Sequence, residues 1–248
     1  SNITADSSTG EEFLEDQIRD VIWYIQPGIS IFGIIGNLTV FVVLFGQRLR
    51  NNPTCIFMRF MAILDGVSQI FTLHWWTYKY HRYVTDWKCK LENFVFFIAI
   101  HLSVTLLVLM TGQKLLAIAF PLKSVVWMTT NKTYKIIVAA FLVISLVNCH
   151  HLFTRTDVLQ PYGRTCMGST SVPKDYKYYY FLAKVWPWID SFLYSFIPFV
   201  MLLCSNLLIV ITLGRAHMKG NHLGNRHRAD QETRKETDTK KADKQVSI

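Results

Sequence analysis

Apolar residues in this chain are grouped into five long runs that carry almost no formal charge. The runs cover residues 21–46, 60–78, 93–113, 136–153 and 191–214, and only Asp65 interrupts them. Each run has about 18 residues or more, roughly what a helix needs to cross ~30 Å of hydrocarbon. Because buried helices of soluble proteins are usually shorter and amphipathic, the pattern predicts an all-α, multi-span transmembrane helix bundle.

The same pattern divides the chain into three parts. Residues 1–20 form an acidic amino-terminal segment, and residues 21–214 form the helical bundle. Residues 215–248 are polar and charged, which predicts a disordered tail or a helical continuation of the fifth span. Within the bundle, the spans are predicted at about 21–46, 57–78, 90–119, 134–153 and 186–214.

Charge in the short connections predicts how the bundle is oriented, because positive loops favour the cytoplasmic side. Residues 47–59 hold three Arg and residues 114–135 four Lys, with no acid in either segment. Residues 1–20 hold six acids and one Arg. We therefore expect the amino end outside the cell. Asn2 begins an Asn-Ile-Thr sequon on that side, which predicts glycosylation there.

Composition narrows the class of function. The chain is 51% hydrophobic and 17% charged, below the roughly 25% charged that is typical of soluble domains. The basic residues of the tail are interleaved with acids, which favours membrane lipid or a cytosolic partner and argues against nucleic acid. Since no nucleophile triad, phosphate loop, carboxylate pair or metal-ligand spacing is present, neither an enzyme nor a metal site is predicted.

The cysteines differ in their predicted surroundings. Cys89 falls at the outer end of the third span and Cys166 in the second outer loop, both on the oxidising side of the membrane, where disulfides persist. Cys55, Cys149 and Cys204 fall inside or within spans and are interpreted as small buried side chains. Sequence spacing alone does not set the connectivity.

Several short motifs occur in the order and spacing of one large receptor family. They are Gly36-Asn37 with Val40, Ala62 with Asp65, Lys114-Leu115-Leu116-Ala117-Ile118 followed by Pro121-Leu122, and Pro198. Together they resemble the rhodopsin-like G-protein-coupled receptors over nearly all of residues 21–214. The resemblance implies a Cys89–Cys166 disulfide and a helix kink at Pro198.

The resemblance also implies two sites inside the bundle. The first is a sodium-and-water site built by Asn37, Asp65 and Ser103; its alternative is a simple hydrogen bond between Asp65 and Asn37. The second is a ligand pocket. Phe96 stands where amine receptors carry an Asp, so a biogenic amine is not expected. The aromatic and largely neutral pocket would be lined by Phe96, Phe97, Ile100 and His101.

Asp190, at the outer end of the fifth span, has two interpretations. Its carboxylate would either bind a cationic group of the ligand or pair with Lys184 near the headgroups.

The sequence departs from the family at the cytoplasmic end of the third span. Gln113-Lys114-Leu115 replaces the acid-Arg-Tyr triplet that forms the G-protein-coupling switch. Lys114 keeps the positive charge but loses the planar bidentate geometry of Arg, and Gln113 cannot form the ion pair. We therefore expect a less firmly held inactive state and a weaker G-protein contact.

Three functions are compatible with these observations. The first is a plasma-membrane receptor that binds an extracellular neuropeptide and couples to a heterotrimeric G protein, with no cofactor except a possible sodium ion at Asp65. Only five of the family's seven spans are present, so the second is a truncated, non-signalling receptor that binds full-length relatives. The third is a transporter, against which stands the lack of an inverted internal repeat.

Overall fold

A computed structural model describes residues 3–47, 49–78, 85–160, 163–168, 180–215 and 218. For residues 3–16 and for most of 156–168, only the backbone is described. The predicted glycosylation site Asn2 and nearly all of the 215–248 tail lie outside the described residues.

Five helices in the described part of the chain are long and apolar enough to cross a membrane, which confirms the predicted fold class. The candidate spans are Asp20–Val43, Pro53–Thr77, Asp86–Ala119, Thr130–Thr154 and Trp186–Arg215. The helices that contain them are α1 (Ile3–Val43), α2 (Pro53–Tyr78), α3 (Asp86–Ala119), α5 (Thr130–Asn148) with α6 (His151–Thr154), and α7 (Trp186–Arg215); the short α4 (Pro121–Trp127) connects α3 to α5. Helix α1 begins within the acidic segment, ahead of the apolar run.

Helix α3 lies at the centre of the bundle. In the most apolar stretch of α3, 44% of the residues are buried, compared with 6% in α1 and none in α7. Most apolar side chains of the other helices therefore face outward, as a membrane requires. The buried core forms where α2, α3 and α5 meet, and it includes Ile56, Phe57, Ile98, Leu102, Leu106, Met110, Ile137 and Ile144.

A two-stranded antiparallel hairpin follows α6, formed by β1 (Arg155–Gln160) and β2 (Gly163–Gly168). Its register pairs Asp157 with Cys166, and Cys166 forms a disulfide with Cys89 at the start of α3. The amide nitrogen of Asn93 lies 3.1 Å from the Cys166 sulfur. The disulfide implied by the resemblance is therefore present, and it holds a hairpin that the all-α prediction did not include.

π-Helical turns lie directly before the fifth spanning helix and within it, each just ahead of a proline. π-Helical turns at Phe181–Val185 and Phe192–Phe196 end two residues before Pro187 and Pro198. In the second turn, the Ile197 N–H donates to the carbonyl five residues earlier. Because proline has no N–H and its ring clashes with the carbonyl four residues back, a wider turn ahead of it relieves both problems.

A buried carboxylate joins the end of α2 to the start of α3. Glu92 is 9% exposed, and its Oε2 accepts a hydrogen bond from Trp75 Nε1 at 3.2 Å. His74 Nε2 lies 3.2 Å from Glu92 Oε1, and Lys88 Nζ lies 3.7 Å from the same oxygen. Three polar groups thus converge on one buried carboxylate, whose charge would be costly if it were left unpaired.

We expect the substitution Glu92→Ala to destabilise the bundle by about 1–3 kcal/mol, because it leaves the half-buried Trp75 N–H without its acceptor. Thermal unfolding of the purified chain in detergent measures the effect. The matched control is Asp86→Asn, which breaks the Asp86–Lys90 ion pair on the same helix, where Asp86 is 46% exposed. An exposed pair of this kind contributes at most about 1 kcal/mol. Equal losses in the two variants would contradict the role given to Glu92.

Candidate functional site

The predicted pocket residue His101 lies at the crossing of α3, α5 and α7. Its ring stacks on Tyr194 with centroids 3.4 Å apart. Its Nδ1 lies 3.0 Å from Asn148 Oδ1, and its Nε2 lies 3.5 Å from Asp190 Oδ1. His101 and Asn148 are 3% and 0% exposed, so these two residues of the network are shielded from solvent. The structure therefore brings Asp190 and His101 together, as expected for two residues of one pocket.

The hydrogen-bond pattern fixes the proton on one side of the His101 ring. Asn148 Nδ2 donates to the Ile144 carbonyl at 2.8 Å, so its Oδ1 is the atom that faces His101. His101 Nδ1 must then be the donor to Asn148. The Asp190 carboxylate is left facing Nε2, which attracts it only when the ring is protonated.

Asp190 does not pair with Lys184, the alternative considered from the sequence. Its carboxylate is 27% exposed and faces the bundle, while Lys184 is exposed. The 3.5 Å separation from His101 is an ion-pair distance, and Asp190 Oδ1 accepts no hydrogen bond from the described residues. A buried carboxylate oxygen that still has hydrogen-bonding capacity is suited to a polar or cationic group of a ligand.

The predicted aromatic wall is also present on α3. Phe96 lies 4.5 Å from Trp75 between ring centroids and 5.6 Å from Phe97. Phe97 in turn contacts the His101 ring at 5.6 Å. Ile100 follows Phe96 by one helical turn and so lies on the same face. These contacts place the predicted lining residues of α3 beside one another.

Sequence reasoning missed the other half of this wall, which comes from α6 and the hairpin. His151 stacks almost parallel on Phe97, with centroids 4.1 Å apart, and is 3% exposed. The Arg155 guanidinium lies 5.7 Å from the Phe97 centroid, and its Nε donates towards His151 Nδ1 at 3.5 Å. Burial lowers the pKa of Arg155. The side chain nonetheless stays cationic, because the ordinary pKa of arginine lies far above neutral pH. In the sequence, the adjacent pair His150 and His151 near the end of the fourth span was the one feature that indicated this second half of the aromatic wall.

A second polar cluster lies in the middle of the bundle. Ser103 donates to Asp65 Oδ1 at 2.6 Å, so two of the three residues predicted for a sodium-and-water site are in direct contact. Asn37 forms no side-chain hydrogen bond with any described residue, and its expected bond to Asp65 is absent from the described contacts. A carboxylate and a hydroxyl are oxygen donors of the kind that hard cations prefer.

Gln113, Lys114 and Leu115, which the resemblance identified as a coupling switch, lie at the end of α3 opposite to Cys89, in different surroundings. Gln113 is 8% exposed, and its Oε1 accepts no hydrogen bond within the described part of the chain. Lys114 is exposed and Leu115 is half-buried. The buried amide is therefore an unsatisfied group, which costs roughly 1–3 kcal/mol unless water or a partner reaches it.

No three His, Cys, Asp or Glu side chains converge on a metal-binding geometry among the residues that the structure describes. His150 instead contacts the Trp186 ring edge-on, with centroids 4.3 Å apart and an interplanar angle of 63°.

Comparisons with known proteins agree with this architecture. The chain matches the family model described as 7 transmembrane receptor (rhodopsin family) over residues 36–248. It is 23% identical over 224 residues to a probable G-protein coupled receptor of Caenorhabditis elegans, which covers 86% of this chain and 51% of that protein. It is 22% identical over 223 residues to human cysteinyl leukotriene receptor 1, covering 89% of this chain and 65% of the receptor.

A third relative matches over a shorter stretch. The allatostatin-A receptor of Bombyx mori is 29% identical over 126 residues, which is 50% of this chain and 35% of that receptor. The chain therefore spans about half to two thirds of the length of the first two relatives. Because the family match takes in most of the chain, and its helices and outer disulfide agree with it, the chain belongs to the rhodopsin family of seven-transmembrane receptors.

Proposed function

We propose that this protein is a plasma-membrane receptor that binds a neuropeptide on its outer side and activates a heterotrimeric G protein on its inner side. The observation that carries the proposal is the His101–Asp190 contact, which joins α3 to α7 beneath the disulfide-anchored hairpin. A ligand that enters beside the hairpin reaches polar groups on two helices at once.

The proposed ligand class follows from the chemistry of the pocket. Phe96 occupies the place where amine receptors have an Asp, and it packs against Trp75. The hairpin edge and the aromatic wall suit an extended peptide, whose backbone pairs with strands and whose side chains pack on rings. A relative named for allatostatin-A supports this class, whereas one named for cysteinyl leukotrienes shows that relatives of comparable identity bear different ligand names.

The proposed mechanism is a population shift between two arrangements of the helices. A ligand changes such an equilibrium only by binding one arrangement more tightly than the other. A cationic or hydrogen-bonding ligand group at Asp190 changes the charge that faces His101 Nε2, and so alters how α3 is held against α7. The same helix α3 carries Gln113 and Lys114 at its cytoplasmic end, where the G protein is proposed to bind.

A sodium ion is a further proposal, at Asp65 and Ser103. Their 2.6 Å contact supplies a carboxylate and a hydroxyl at one point of the bundle, and the second carboxylate oxygen keeps its acceptor capacity. A bound cation would stabilise a charge that is costly in hydrocarbon.

The proposed function is tested with the complete gene expressed in mammalian cells. An amino-terminal epitope tag should be accessible to antibody in intact cells, and a panel of neuropeptides should include one that activates a G protein. Accessibility of the tag only after permeabilisation would contradict the orientation. Normal surface expression without a response to any peptide would count against the ligand class and favour the non-signalling interpretation.

We expect Asp190→Asn to weaken the activating peptide by about tenfold or more, because about 1.4 kcal/mol of lost interaction has that effect. The neutral amide keeps the shape of the side chain but removes the charge that faces His101. Concentration–response curves measure the potency, with Lys184→Gln as the matched control on the same end of the helix. A larger loss of potency in Lys184→Gln than in Asp190→Asn would contradict the binding role proposed for Asp190.

The switch is tested by restoring the family's charges with Gln113→Glu and Lys114→Arg together. The double variant should lower basal activity and raise the agonist response severalfold, because it rebuilds an ion pair and a bidentate donor. Gln113→Met with Lys114→Arg is the control, since it removes the unsatisfied amide without adding charge. If this control matches the Glu variant, or if neither alters coupling, the charged switch does not limit signalling.

A further inference from the structure

Arg155, the first residue of β1, places a cation at the base of the hairpin and beside the aromatic wall. The side chain is half-buried, and its guanidinium lies 5.7 Å from the Phe97 ring centroid. The strand register pairs Arg155 with Gly168, which has no side chain, so β2 sets no side chain directly opposite it. Among the residues that the structure describes, Arg155 forms no ion pair. A half-buried cation is costly when burial removes water and supplies no negative charge in its place.

The hydrogen bonds of Arg155 leave the outer fork of its guanidinium unused. Its Nε donates towards His151 Nδ1 at 3.5 Å, and no other side-chain hydrogen bond joins this guanidinium to a described residue. A guanidinium has five N–H donors, so four remain on its two terminal nitrogens. Their planar arrangement matches the two oxygens of a carboxylate.

His151 supplies a second unused donor beside Arg155. Because arginine cannot accept a hydrogen bond, Nδ1 of His151 is the acceptor in their contact, and the neutral ring carries its proton on Nε2. That Nε2 is buried and has no hydrogen-bond partner in the described part of the chain. The ring is 3% exposed and stacks on Phe97, which fixes its plane. Since buried donors are almost always paired, this one independently indicates that an acceptor oxygen from another molecule belongs here.

The carboxylates on the adjacent helices face other groups. Glu92 of α3 accepts a hydrogen bond from Trp75 at 3.2 Å, and Asp190 of α7 lies 3.5 Å from His101. Neither contacts Arg155. The negative charge that would neutralise Arg155 is therefore not supplied by these helices.

We propose that Arg155 and His151 form an anion subsite for a carboxylate of the ligand. The Arg155 fork holds the two carboxylate oxygens, and His151 Nε2 donates to a neighbouring carbonyl oxygen of the same molecule. This inference rests on the proposed peptide-binding function and specifies its ligand more closely. The peptide carries a carboxylate, at its carboxyl terminus or on an acidic side chain, besides the polar or cationic group proposed for Asp190.

One aromatic ring separates this subsite from Asp190. Phe97 contacts Arg155 on one side and His101 on the other, and His101 faces Asp190. A few residues of extended peptide, at about 3.4 Å each, bridge a gap of this kind. A ligand with opposite charges a few residues apart therefore reaches α3, α7 and the hairpin at once.

The test measures thermal unfolding of the purified chain in detergent with three matched probes. They are acetyl-phenylalanyl-glycine with a free terminal carboxylate, acetyl-phenylalanyl-aspartic acid amide with a side-chain carboxylate, and the neutral acetyl-phenylalanyl-glycine amide. At least one carboxylate probe should raise the unfolding midpoint more than the neutral amide at the same concentration, because a ligand that binds the folded state stabilises it. Whichever carboxylate probe binds more tightly identifies the source of the anion.

Arg155→Gln should weaken the preferred carboxylate probe by about tenfold or more, since it removes a charge-assisted bidentate contact. Arg155→Lys should weaken it less, because the charge stays and only the fork is lost. The matched control is Arg164→Gln, which removes the same type of cation from β2 of the same hairpin, where the register pairs Arg164 with Leu159 nearer the turn. This control should keep the preference for the carboxylate. If Arg155→Gln does not fold, Arg155→Lys against Arg164→Gln makes the same comparison.

Three results would overturn the proposal. They are equal stabilisation by the carboxylate and amide probes, a full preference that survives both Arg155 variants, and an equal loss in Arg164→Gln. Because unfolding reports binding without a G protein, a carboxylate preference in a protein that does not signal would support the subsite while the receptor proposal failed. Peptide-induced signalling without that preference would contradict the subsite alone.

Discussion

Hydrocarbon cannot accept or donate hydrogen bonds, and this constraint governs the whole bundle. It makes each long apolar run a helix, since a helix satisfies its backbone internally. It also governs the few polar side chains inside. The Thr105 and Thr111 hydroxyls donate to carbonyls four residues earlier on α3, and Ser103 donates across the bundle to Asp65. Polar groups of this kind stabilise only the arrangement that pairs them, so they specify how the helices sit against one another.

Helix α3 concentrates these pairings. From its outer end inward it carries Glu92, His101, Ser103 and Gln113, and the first three contact partners on α2, α5 or α7. Helix α3 therefore runs past the proposed pocket, the half-buried Asp65 carboxylate of α2 and the proposed coupling switch. In the proposed mechanism, a change in how His101 is held would act on the same helix that carries Gln113.

The candidate site was predicted in part. The family spacing identified Phe96, Phe97 and His101, because these lie on one face of a long helix whose register the sequence sets. It gave Asp190 two interpretations and could not choose between them, since the choice depends on which way α7 faces α3. The stack of His151 and Arg155 on Phe97 was missed because it needs the hairpin to return over the bundle.

The amino-acid sequence by itself determined the five spans and the helical class of the bundle, because each follows from local hydrophobicity. The tertiary structure alone decided that Asp190 faces His101, that Glu92 joins α2 to α3, and that the disulfide anchors a β-hairpin. The physical reason is the same in each case. Burial in lipid depends on a residue's own chemistry, whereas a hydrogen-bond partner inside a bundle depends on the rotation and depth of a different helix.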